Sequence, residues 1–120
     1  MPPPPTPAFD VDAITRVRRV GGDELLHRLI GLYVETTRQR LGDLQACVGA
    51  SELPGIARAA HSIRGSAGNL GALSVMQTAA EVESAALAAR APDLPRLVAA
   101  LEQALAAAEA HFAILPSPDQ

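Results

Sequence analysis

The chain has 120 residues, enough for one domain with a modest core, and 48% of them are hydrophobic but only 2% aromatic. A core drawn from Leu, Ile, Val and many Ala suits closely approaching helices better than a sheet, so an all-α fold is expected. The net charge of −3, with arginines scattered along the chain, argues against nucleic-acid binding; a lone Cys47 cannot form an internal disulfide, and no apolar run approaches the roughly 20 residues that span a membrane.

Residues 1–8 hold five prolines, a composition that favours extended polyproline structure with no packing face, and they are expected to form a disordered leader. They lack the positive and apolar regions of a secretory signal, so a cytoplasmic location is expected. The helical domain is expected over 9–115, with 116–120 as a flexible tail. Asp10 or Asp12 should cap a short first helix reaching Val20, stopped by Gly21 and Gly22.

A second helix should run from Asp23 to Gly49. Leu25/Leu26, Leu29/Ile30, Tyr33, Thr37, Leu41, Leu44 and Val48 recur there at spacings of three or four and form one stripe. Ser51 should cap a third helix, with Pro54 in its first turn and Gly71 just past its end. A fourth helix should span Leu73 to Arg90. After the break at "APD", Asp93 should cap a fifth, whose stripe is Leu94, Leu97/Val98, Leu101, Leu105, Ala108 and Phe112. Long helices joined by short loops pack against their neighbours in opposite directions, which gives an antiparallel up-down four-helix bundle with a short additional N-terminal helix. No internal repeat is evident.

The segment "AAHSIRGSAGNLGA", residues 59–72, places three glycines beside a histidine, although each glycine inside a helix costs about 1 kcal/mol relative to alanine. Its G-x-x-G-x-x-G pattern has no Lys-Ser/Thr ending and no preceding strand, so it fits neither a phosphate loop nor a dinucleotide fingerprint. His27, His61, His111 and Cys47 are too far apart for a metal-ligand motif, so no metal and no cofactor is expected. A nucleophile elbow and a paired-carboxylate signature for a hydrolase are also missing.

Helix geometry gives the segment a different sense. With a rotation of about 100° per residue, Arg64, Gly65 and Gly68 share one face with His61, while Ile56, Ala59, Ala60, Ile63, Ala67 and Leu70 form the opposite, apolar face. His61 is therefore expected outside the core. Gly65 and Gly68, one and two turns further on, lower the surface beside the imidazole so that another molecule can approach. Arg58 and Arg64 flank His61 by about one turn each, and guanidinium forks suit phosphate oxygens. If the third and fourth helices form a hairpin centred on Ala72, position 61 faces position 83, where Glu83 would accept a proton from one ring nitrogen and sharpen the other as a nucleophile.

Elsewhere the structural explanations are preferred. His27 and His111 read as solvated surface residues, Cys47 as a small buried apolar residue, and Gly71 as a helix stop. Ser66 is expected to bond back to the carbonyl of Ser62. Asn69 is either a helix-end residue or a polar contact on the docking surface.

The run His61-Ser62-Ile63-Arg64-Gly65-Ser66-Ala67-Gly68-Asn69-Leu70-Gly71 resembles the signature of histidine-containing phosphotransfer (HPt) domains, His-x-Leu-Lys-Gly-(Ser/Ala)-x-x-x-x-Gly. The resemblance spans Phe9 to Leu115 and includes "GGDELLHRLIGLYVETTRQRLGDL", "EVES" and the Ala/Leu-rich last helix. It implies that His61 accepts the phosphoryl group, through Nε2. Arg64 stands for the family's usual Lys, and Glu83 matches the polar position that bonds the other ring nitrogen. Arg for Lys keeps the charge and changes its shape, and Ile63 for Leu is a core substitution.

The resemblance further implies a monomeric carrier, not an enzyme, without an ATP site or catalysis of its own, that relays a phosphoryl group between aspartates of receiver domains in hybrid sensor kinases and response regulators. Mg²⁺ would be held by the partner's acidic site. Partner contacts would come from Arg58, Gly65, Gly68 and Asn69, with an apolar patch of the first two helices and charge steering from Arg38 or Arg40. Two alternatives remain: an adaptor of the same fold that binds receivers without chemistry, and the dimerising hairpin of a sensor kinase. The latter usually has an acidic residue directly after its histidine and a Pro a few residues on, where this chain has Ser62 and Ser66. The initiator Met ahead of the proline leader favours a free-standing protein over a fragment of a larger kinase.

Overall fold

The computed structural model describes residues 8–115; the expected leader (residue 8 aside) and the expected 116–120 tail lie outside them. Four helices follow one another as α1 (Val11–Gly49), α2 (Leu53–Asn69), α3 (Leu73–Leu87) and α4 (Leu94–Ala113), with a 3-10 turn over Ala91–Asp93 leading into α4. The fold is all-α. Among the described residues no helix is long and apolar enough to cross a membrane.

Asp10 caps α1, its carboxylate accepting the Asp12 N–H at 3.0 Å. The stop expected at Gly21 and Gly22 takes another form. Gly22, at φ 70° and ψ −166°, occupies a region essentially restricted to glycine, and the helix resumes directly after it. One residue leaves the helical region and the chain kinks without a loop. The residues before Gly22 are thus the first arm of a kinked α1, and no loop sets them apart as the expected additional N-terminal helix.

Three helices end in the same hydrogen-bonded closure, in which the backbone turns left-handed for one residue and two N–H groups return to the last turn. After α2, Gly71 (φ 68°) supplies that residue, with Ala72 N–H on Ala67 O at 3.1 Å and Gly71 N–H on Gly68 O at 3.3 Å. After α1 the residue is Ser51 (φ 57°), with Glu52 N–H on Cys47 O at 2.9 Å; after α3 it is Ala89 (φ 56°), with Arg90 N–H on Ala85 O at 2.8 Å. Ser51 therefore closes α1 instead of capping α2, whose first residue follows Glu52. Likewise α3 ends at Leu87 rather than Arg90, because Ala89 has already left the helix. Asp93 precedes α4 without a side-chain cap bond, because its own backbone is helical and belongs to the 3-10 turn.

The core follows the stripes. Leu26, Tyr33, Thr37 and Leu44 of α1, the apolar face of α2, Val75, Ala79, Val82 and Ala86 of α3, and Leu94, Leu97, Leu101, Leu105 and Phe112 of α4 are buried. Each large apolar side chain withdrawn from water contributes about 1.5–3 kcal/mol before chain entropy is set against it. Thr37, the one polar residue of the α1 stripe, bonds its hydroxyl to Tyr33 O at 2.8 Å, so it enters the core with its donor satisfied. Alanines let α2 and α3 approach closely along their length. The α1–α4 seam is marked by an edge-on pair of Tyr33 and Phe112, centroids 5.4 Å apart, and by a two-pronged bond from Arg38 to Glu109 at 2.8 and 2.9 Å.

The first described residues form a strap across one pole. Asp10 N–H donates to Gly71 O at 2.8 Å, Ser74 N–H donates to Ala8 O at 3.2 Å, and Phe9 stacks on His111 with centroids 3.8 Å apart. Gly71 is therefore more than a helix stop: a Cβ there would lie 2.7 Å from Asp10 O and 2.8 Å from Ala13 Cβ. His111, expected in solvent, is half-buried under the strap. Cys47 is also half-buried rather than a core residue.

Candidate functional site

α2 turns Ile56, Ala59, Ala60, Ile63 and Ala67 into the core, and the opposite side carries the polar segment. The side chain of His61 is 64% exposed, and Arg58, Gly65, Gly68 and Asn69 are exposed along the same helix. A Cβ at Gly65 would meet nothing within 4 Å, and one at Gly68 would touch only Met76, Cε at 3.7 Å. Among the described residues nothing requires glycine at either place. Both positions are helical in backbone, so their cost in helix propensity has no internal return.

The tight closure at Gly71 sets α3 antiparallel beside α2 and brings Glu83 opposite His61. Glu83 is the more protected partner, with a side chain only 16% exposed. Its Oε2 lies 2.9 Å from His61 Nδ1. Arg64 joins the same cluster from the next turn of α2, with NH2 3.0 Å from Nδ1 and NH1 3.3 Å from Glu83 Oε1. The structure thus brings His61, Arg64 and Glu83 into one triad.

Nδ1 cannot serve both neighbours at once. It donates to Glu83 when it carries the proton, and it accepts from Arg64 when it does not. Donation to Glu83 leaves the lone pair on Nε2, a nitrogen with no protein partner among the described bonds, on the exposed side of the ring. In that state the site offers an outward nucleophile backed by a carboxylate, with a guanidinium within reach of an arriving anion.

Arg58 does not join the triad. It lines an open cleft of about 560 Å³ between α1 and α2, together with Arg40, Asp43, Cys47, Gly55 and Ser62. Arg40 is held there by Asp43 at 3.0 Å. Arg38 points to the α4 side, bound to Glu109, and so lies apart from the cluster. On the other flank Asn69 and Ser66 border a small cleft with Leu29, Leu32, Tyr33 and Thr36 of α1. Ser66 makes no bond to the Ser62 carbonyl among the described hydrogen bonds.

Leu32 was not singled out by sequence. It is 59% exposed, one residue off the α1 stripe, and an apolar residue outside a stripe that already suffices to bury the helix is the signal that identifies it. Among the described residues no group of three or more His, Cys, Asp or Glu side chains could hold a metal ion.

A family model described as the Hpt domain matches residues 28–111. Among solved structures, the crystal structure of histidine-containing phosphotransfer protein B (HptB) from Pseudomonas aeruginosa PAO1 is similar, with a TM-score of 0.84 at 25% identity over 91% of this chain and 94% of that one. No curated protein matches.

Proposed function

The chain belongs to the Hpt domain family, phosphocarriers that work with receiver domains, and on that premise we propose that it relays a phosphoryl group between receiver-domain aspartates through His61. The observation that supports this most directly is the 2.9 Å contact of His61 Nδ1 with the protected Glu83 carboxylate, which leaves Nε2 for the incoming group. Its chemistry follows from the arrangement. The Nε2 lone pair attacks phosphorus in line, the N–P bond forms as the bond to the aspartyl oxygen breaks, and the aspartate leaves as carboxylate. The ring keeps its Nδ1 proton and gains a positive charge, which Glu83 balances. Transfer onward is the same step reversed.

Arg64 is the group that reaches the phosphoryl oxygens, and Gly65 and Gly68 leave room for the partner's backbone. Arg58 lends charge to the flank and Asn69 a polar contact beside exposed Leu32. Mg²⁺ belongs to the partner's acidic pocket. The partners are receivers of hybrid sensor kinases and response regulators, and the carrier is a cytoplasmic monomer, since one chain closes the bundle unaided.

Incubation with a phosphorylated receiver and Mg²⁺ tests the proposal. The expected result is an acid-labile, alkali-stable label on the wild type that is lost in His61→Gln. A wild type that binds the receiver and never takes label would reduce the protein to an adaptor.

A further inference from the structure

We propose that Arg64 is a positioning residue that holds part of the His61 population in the non-nucleophilic tautomer until a phosphoryl group draws the guanidinium away. The idea starts from a conflict in the resting triad. Glu83 Oε2 and Arg64 NH2 stand 2.9 and 3.0 Å from the same nitrogen, Nδ1. A carboxylate stabilises Nδ1–H and therefore a lone pair on Nε2. A guanidinium donates to a bare Nδ1 and therefore stabilises Nε2–H, which has no electron pair for phosphorus. The neutral ring has one proton, so the two neighbours pull it in opposite directions.

Arg64 is held in this competing position by its second prong, NH1 at 3.3 Å from Glu83 Oε1. That ion pair also shares out the carboxylate's charge, so Glu83 acts on the ring with less than its full pull. Both effects end together. When the forked guanidinium turns to phosphoryl oxygens, Nδ1 loses its donor and Glu83 loses its cation; the exposed ring then gives its Nε2 proton to solvent water and takes one from water at Nδ1, where the carboxylate holds it. The arriving group is thereby gripped and, by the same movement, meets a nitrogen with its lone pair facing outward. A side chain 40% exposed, on a face cleared by Gly65 and Gly68, has the freedom for that turn. The resting consequence, a mixed tautomer, follows from the triad alone; the release by a phosphoryl group rests on the relay function proposed above.

The test reads the tautomer directly in the unphosphorylated full chain. Ring ¹⁵N shifts and long-range ¹H–¹⁵N couplings of His61 are measured with the ring neutral, in wild type, Arg64→Ala and Glu83→Ala, with His27 and His111 as internal references. Removing Arg64 should move the ratio of Nδ1–H to Nε2–H upward by about tenfold, the factor that corresponds to 1.4 kcal/mol, and removing Glu83 should move it downward. Arg64→Met keeps the side-chain length without the donors and gives the same readout should alanine loosen α2. An unchanged ratio in both Arg64 variants, or a shift towards Nε2–H, overturns the proposal. Phosphotransfer from a receiver should slow in Arg64→Ala while the nucleophilic tautomer increases, a pairing of opposite signs that general damage to the site does not produce. A wild type that never takes label would sink the relay and leave the tautomer result standing.

Discussion

Replacing Gly65 and Gly68 by alanine should stabilise the protein and impair its work at the same time. Both residues lie inside α2 with helical backbone, and the new Cβ atoms meet open space at 65 and an ordinary contact with Met76 Cε at 3.7 Å at 68. With no clash to offset it, each substitution should contribute about 0.5–1 kcal/mol from restricted unfolded-chain freedom and better helix propensity. Together they should contribute about 1–2 kcal/mol, and at about 4 °C per kcal/mol for a domain of this size the Tm should rise visibly in a circular-dichroism melt. Gly68→Gln adds a side chain that projects from the same face. It should leave the bundle folded, its Tm at or above that of wild type, while the rate of phosphotransfer from a labelled receiver falls in a quench-flow assay. A Tm that drops in the alanine variants would mean that these glycines serve the fold. Unchanged transfer in Gly68→Gln would mean that no partner backbone comes close to this turn, and the clearance explanation would be wrong.

Gly71→Ala should behave in the opposite way. Its φ of 68° and its 2.7 Å approach to Asp10 O combine left-handed strain with a backbone clash, so a loss of about 2–3 kcal/mol is expected in urea titrations, together with faster amide exchange at Asp10. Ala89→Gly relieves a left-handed alanine at φ 56° and should add about 0.5–1 kcal/mol, read as a higher urea midpoint at unchanged m-value. Burial raises the Tyr33 hydroxyl above its ordinary pKa of 10, with Glu109 adding to the shift. The native state then holds this proton longer than the unfolded chain does, so the contribution is complete below about pH 10 and declines as pH rises beyond it. Tyr33→Phe should flatten the fall in stability as pH rises above about 10, and an identical slope in both proteins would refute the assignment.

The helices and the triad were legible for different reasons. Leu94 to Phe112 repeats its apolar residues without interruption, and α4 begins and ends where that stripe does. Position 83 follows from equal distances on either side of the α2–α3 turn, because the closure at Gly71 is tight and both helices run without interruption from there to the site. Other features were hidden. Ser51 has the composition of a cap, yet a left-handed serine is indistinguishable in sequence from an N-terminal one, since both roles favour small polar residues. The glycine pair at 21 and 22 signals a break, but whether a chain loops or merely kinks there depends on what α1 packs against. His111 looked solvated because its partner, Phe9, lies about a hundred residues away, beyond any local pattern. Arg58 and Arg64 were symmetric about His61 in sequence, and only the neighbouring helices separate them: α3 offers Glu83 to one, α1 offers a cleft to the other.

The strap also governs how this domain can be cut and rejoined. With Phe9 stacked on His111 at 3.8 Å, the two ends of the bundle meet at one pole, beside the α2–α3 turn, and the exposed loop at Ala89 and Arg90 lies between α3 and α4. A short peptide joining the ends, with new termini opened at that loop, would yield a circular permutant with all four helices and the His61 cluster intact. For the same reason the bundle suits insertion as a cassette into another protein's surface loop, because host chain entering and leaving at neighbouring points needs no long tether.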